Sequence, residues 1–217
     1  MQDNRHYAKL AGAVLAAWFV LAIAASALGM LHAGSLLAFH PPLGLGLFVA
    51  LPLLLFAGWY ALSAGFRGFV HSLDARTLTI LHSWRLGGFV FLILYAHGIL
   101  PGRFALPAGW GDIFMGATAW LAATYLTGRR AAYIAWQLLG VTDLVVAVTM
   151  GVLSSPGVGV LAPGVTTDAM STLPLSLVPT FAVPLLLILH SIAIAQARRW
   201  PVASTQYPVL STQRVSG

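Results

Sequence analysis

Apolar runs of about 20 residues, the length at which a helix crosses the hydrocarbon core of a bilayer, recur along this chain and constrain it more than any motif does. They fall near residues 9–31, 43–65, 77–99, 109–128, 131–153 and 174–197. Within each run the apolar residues are continuous instead of alternating, which predicts helices and argues against a strand barrel. Hydrophobic residues make up 59% of the chain and charged ones 7%, against roughly 25% charged in soluble domains. The expected fold is therefore all-α: a polytopic transmembrane bundle of about six spans. One transmembrane domain covers 1–199, followed over 200–217 by a polar tail with little to bury, expected to be disordered.

Charge orients such a bundle. Arg5 and Lys9, Arg67 and Arg76, Arg129 and Arg130, and Arg198, Arg199 and Arg214 all fall on one side of six spans, leaving Arg103 alone on the other. By the positive-inside rule both termini are cytoplasmic. The net charge of +6 is accounted for by these short clusters. No basic stripe or aromatic-interleaved patch is present, so a nucleic-acid partner is not expected. The basic start, apolar run and "AASALG" of the first span resemble a secretory signal, but the run exceeds the usual 7–15 residues of such a segment and is kept as a span. The absence of cysteine excludes disulfides, thiolate metal sites and iron–sulfur clusters, and glutamate is absent too.

Against that apolar background the stretch "TILHSWRLGGFVFLILYAHGIL", residues 79–100, carries an arginine and two histidines. A charge at the bilayer centre costs about 2.5–3.5 kcal/mol or more, so each intramembrane ionisable group needs a partner or a purpose. The candidates are His82, Arg85, His97, Asp112, Asp143 and His190. Counting from the cytoplasmic ends at 1.5 Å per residue places Arg85 and His190 about 12 Å deep, Asp143 about 20 Å, Asp112 about 26 Å and His97 about 30 Å. This predicts two tiers: Arg85 paired with Asp143 beside His190, and His97 with Asp112 near the outer face. Asp112 also has a simpler reading, as a carboxylate complementing the positive start of the fourth span. Small residues, among them Gly58, Ala61, Gly65, Gly87, Gly88, Ala119 and Ala123, are expected to serve close helix packing.

Specific chemistries can be weighed against these positions. His82 and His97 lie about 22 Å apart along one helix and about 60° around it, which admits b-type haem ligated by His82, His97 and His190, with His32 or His40 opposite His97. "GWGD", Gly109 to Asp112, matches the GxGD of intramembrane aspartyl proteases, but there the partner aspartate comes before the motif, whereas Asp143 follows it. A retinal Schiff base needs a lysine in a late span, and Lys9 is the only lysine. No HExxH occurs for zinc. No catalytic set emerges, and binding or transport is expected ahead of catalysis.

"WRLGG" at 84–88, "LPGRFALPAGWGD" at 100–112, "AWQLLGVTDLVVAV" at 135–148 and "LPLSLVPTFAVPLLLILH" at 173–190 together resemble a family of bacterial multi-pass membrane proteins with no established activity. The resemblance covers the C-terminal two thirds and implies a bacterial inner-membrane location. It spans Arg85, Asp112, Asp143 and His190 and so favours treating the four as one ligand-binding constellation. The expected function is binding or moving a small polar or anionic ligand with proton coupling, with no resident cofactor and the lipid bilayer as the main partner. Haem-based electron transfer and a purely structural subunit are the alternatives.

Overall fold

The computed structural model describes residues 2–31, 43–156, 158, 160–161 and 164–201. His32, His40 and most of the expected tail lie outside them. Among the described residues the chain is helical and has no strand. The helices are α1 (Gln2–Ala27), α2 (Leu43–Leu62), α3 (Ala64–Ser72), α4 (Ala75–Ile80), α5 (Phe89–Ala96), α6 (Gly102–Leu121), α7 (Arg130–Leu153) and α8 (Val183–Ala197). A 3₁₀ segment over Leu81–Gly88 joins α4 to α5, and π-helical turns extend α6 through Ala122–Leu126 and precede α8 over Val178–Ala182.

Four of these units are long and apolar enough to cross a membrane: Asn4–Ala27, Ala75–Ala96, Arg130–Leu153 and Val178–Ala197. The expected second span is broken. Helix α2 ends at Leu62, and α3 leaves it at 108°. Ser63 sits between them in an extended conformation and accepts a hydrogen bond from the Phe66 amide, so it caps α3 and stops α2 from continuing. Arg67 donates to the Tyr60 and Ala61 carbonyls, satisfying acceptors at the end of α2.

The fourth expected span differs most. It was placed at 109–128, but α6 begins at Gly102 behind the extended Pro101 and runs through Pro107. Proline is a common break, yet here the α-helix continues past it. Asp112 consequently lies in the middle of α6 and does not mark its start. With Arg103 and Asp112 in its length, α6 is not among the units that meet the apolar criterion.

The helix ends sort into two groups. At one end Asn4 donates to Ser72, Tyr60 bonds His71, Gln196 donates to the Val70 and Leu73 carbonyls, and Trp200 packs against Tyr133 with ring centroids 4.8 Å apart. These contacts gather the start of α1, the ends of α2 and α3, the start of α7 and the end of α8, and with them the basic clusters of the described residues. At the opposite end Ser26 bonds Ser176 at 2.6 Å, and Arg103 donates to the Leu161 carbonyl. The pairing of ends is the one the charge pattern predicts.

Asp74 caps α4 by accepting from the Thr77 amide at 2.8 Å and the Thr77 hydroxyl at 2.7 Å. Those hydrogen bonds hold its carboxyl below the usual value. Stability from a lowered carboxylate is present above its unfolded value and is lost as pH falls through the folded one. Asp74→Ala is expected to cost about 1 kcal/mol at neutral pH, and the gap to wild type should close in acid. Thermal unfolding of both proteins in one detergent, at neutral and acidic pH, measures this.

Candidate functional site

The 3₁₀ segment sets the geometry. At three residues per turn, side chains at i and i+3 eclipse. Thr79, His82, Arg85, Gly88 and Phe91 accordingly form one buried row, while the residues between them are partly or fully exposed. In an α-helix the same row would drift by about 20° per residue, or about 120° between His82 and Gly88. The 3₁₀ rise also carries Arg85 about 2.5 Å further along the axis than α-helical counting allows.

Each member of the row meets its own partner. Thr79 bonds the Tyr133 hydroxyl of α7 at 2.8 Å. His82 stacks on His190 of α8, with centroids 4.0 Å apart and planes 22° apart. Arg85 donates from Nε to Asp112 Oδ1 of α6 at 2.7 Å and from Nη2 to Asp143 Oδ2 of α7. Gly88 faces Asp112 so closely that a Cβ would overlap it. Arg85 and Asp143 are thus paired as expected, with His190 nearby. The expected second tier is corrected: Asp112 belongs to the Arg85 centre, because its helix starts earlier and carries it to mid-helix. His97 ends up exposed at the C-cap of α5 and has no part in the centre.

The room for this cluster comes from glycines. A Cβ at Gly111 would overlap the Asp143 carboxylate, one at Gly140 would overlap the His190 ring, and one at Gly116 would sit 2.6 Å from the Leu86 amide nitrogen. Gly109 faces Leu92 and the Gly88 carbonyl. The glycines of "GWGD" therefore admit side chains from neighbouring helices, which explains the motif without proteolysis. Not every small residue packs: a methyl at Gly87 or Gly58 meets nothing within 4 Å.

Charge and burial are unevenly shared. The Arg85 side chain is 1% exposed, whereas Asp112 and Asp143 keep 18% and 15%. The guanidinium thus lies behind its carboxylates, and two acidic groups face one basic group. Arg85 Nη1, both ring nitrogens of His82, Nε2 of His190 and Nε2 of Gln137 are buried with no partner in the protein. Buried polar groups are nearly always bonded, so five spare ones in one region mark a site.

The haem expectation meets a steric obstacle. Rings stacked 4.0 Å apart leave no room for a porphyrin between them, and His97 stands apart from both. Gln137 was missed from sequence, although it holds His190 Nδ1 through its side-chain oxygen. The signal lay in the i, i+4, i+7 spacing of Tyr133, Gln137 and Gly140, all buried on one face of α7.

Gly111→Ala is expected to lose about 1–3 kcal/mol through overpacking against Asp143, and Gly87→Ala to stay within about 0.5 kcal/mol of wild type. Thermal unfolding of the two variants side by side gives the comparison, and equal losses would contradict the assigned role of Gly111.

A family model described as a domain of unknown function (DUF8737) matches residues 41–198. No curated protein and no solved structure matches the chain. The matched range holds α2 through α8 and with them Arg85, Asp112, Asp143, His82 and His190, and the chain belongs to the DUF8737 family.

Proposed function

We propose that this chain is a multi-pass protein of the bacterial inner membrane, with six crossings and cytoplasmic termini, whose Arg85–Asp112–Asp143 centre binds or moves a small polar or cationic ligand with proton coupling. Six crossings count the α2–α3 pair and α6 as spans. The four apolar units support a membrane setting, since only 17–44% of each apolar window is buried within the chain. Helices that are apolar all round and largely uncovered need lipid on their outer faces. The basic end then faces the cytoplasm.

One observation carries the functional reading: a single buried guanidinium meets two carboxylates, and the carboxylates are the accessible part. With both ionised the centre has one negative charge in excess, and in low dielectric that excess favours uptake of a proton or a cation. An anion would meet the carboxylates before it reached Arg85. The geometry therefore turns the expected ligand from anionic towards cationic. In this scheme Asp143 and Asp112 receive the charge, and Arg85 keeps them together while the site is empty of it.

Two measurements test this. Asp112→Asn or Asp143→Asn alone removes the excess charge and is expected to leave thermal stability near wild type, while the double variant strands Arg85 and loses about 3–5 kcal/mol. A simple clamp would instead lose stability at each single step. In phospholipid vesicles with a trapped pH dye, a sodium or choline gradient should drive a pH change through wild type that Asp143→Asn abolishes. Flux driven by sulfate or phosphate and not by cations would overturn the proposal.

A further inference from the structure

We infer that protons reach the Arg85–Asp112–Asp143 centre from the basic end by way of His190 and His82, with Gln137 as the residue that keeps His190 in the accepting tautomer. The inference rests on the proton-exchanging role proposed above and adds a route and a side.

The two sides of the centre differ in kind. Towards the far end the next turns carry Ala108 on α6, Ala147 on α7 and Phe91 after the 3₁₀ row, packed with Phe104, Met150 and Met170 into one apolar cluster. The side chains of that cluster are apolar among the described residues. Towards the basic end the same helices present polar groups at each turn. Tyr133 lies at the level of Thr79, with its hydroxyl bonded to Thr79 and within 3.2 Å of the Ala75 carbonyl. Gln137 follows one turn along α7, about 6 Å further on, and bonds His190. The His190 ring fills the space left by Gly140, three residues before Asp143 on the same helix. His82 stacks on its other side, one 3₁₀ turn or about 6 Å before Arg85.

The hydrogen-bond pattern gives the imidazoles a direction. The Gln137 side-chain oxygen accepts from His190 Nδ1–H, which leaves Nε2 as the basic nitrogen, and Nε2 is buried with no protein partner. In the proposed step a hydronium O–H bond breaks as the Nε2–H bond forms, that N–H bond breaks in turn as an O–H bond forms on the Asp143 carboxylate, and His190 returns to neutral. His82, with both nitrogens free of protein partners, shares the same proton pool. The groups facing this pair are Arg85 on the row itself, Asp112 on α6, and Tyr133, Trp136, Gln137 and Asp143 on α7.

The test follows the carboxyl C=O infrared band after a pH jump on the full chain in detergent, with the Asp112→Asn/Asp143→Asn double variant as the blank. Wild type is expected to show a band that changes with the pH jump and equilibrates quickly. His190→Leu and His82→Gln should slow equilibration at least tenfold with the final amplitude unchanged, and Gln137→Leu should slow it less. Phe104→Leu, in the apolar layer, should keep the wild-type rate. No titrating band in wild type would end the proton-exchange reading itself. A titrating band with histidine and Gln137 variants at the wild-type rate, or with Phe104→Leu as slow as they are, would overturn the route and leave that reading standing. If His190→Leu does not fold, His82→Gln and Gln137→Leu decide the matter by the same rates.

Discussion

Arg85 brings one positive charge into an interior that offers it no water, and a charge in such surroundings is tolerated only with partners at hydrogen-bonding distance. Its two partners come from different helices, Asp112 from α6 and Asp143 from α7. Closing both contacts draws α6 and α7 against the 3₁₀ row, and that approach is possible only because Gly88, Gly111 and Gly116 have no side chains in the way. Losing both contacts would strand the guanidinium in an apolar setting, so the register of three helices is tied to one side chain.

The winding of the third unit is the second condition. A regular α-helix over Ala75–Ala96 would point Thr79, His82, Arg85 and Gly88 in progressively different directions. The 3₁₀ segment aligns them, at the cost of poorer hydrogen-bond geometry over eight residues. Partners on α6, α7 and α8 compensate by meeting the row at every turn. A polar column results, running from Tyr133 at the basic end to the carboxylates, with an apolar layer beyond it.

Much of this was visible in the residues. Apolar runs located most helices to within a few residues; α1 begins earlier than its run, at Gln2, and in two further places local chemistry intervened. Ser63 ends α2 and starts α3 at a steep angle, and α6 runs on through Pro107, so that Asp112 is mid-helix. The second difference split the centre into two expected tiers. Arg85 and Asp143 were identified as partners because an unpaired intramembrane charge demands one. Gln137 and the glycines were not, because an amide or a missing side chain acquires meaning only from what a neighbouring helix places against it.

The sequence by itself determined the all-helical character, the gathering of basic residues at one end and the short list of ionisable groups that had to be reconciled with an apolar interior. These follow from composition and period, which act along the chain. Only the tertiary structure decided that Asp112 and Asp143 share one guanidinium, that His82 stacks on His190, and that His97 stands outside. Those outcomes depend on how far each helix extends and how it winds. A change of 20° per residue or a helix start seven residues earlier moves a side chain to another face or another depth.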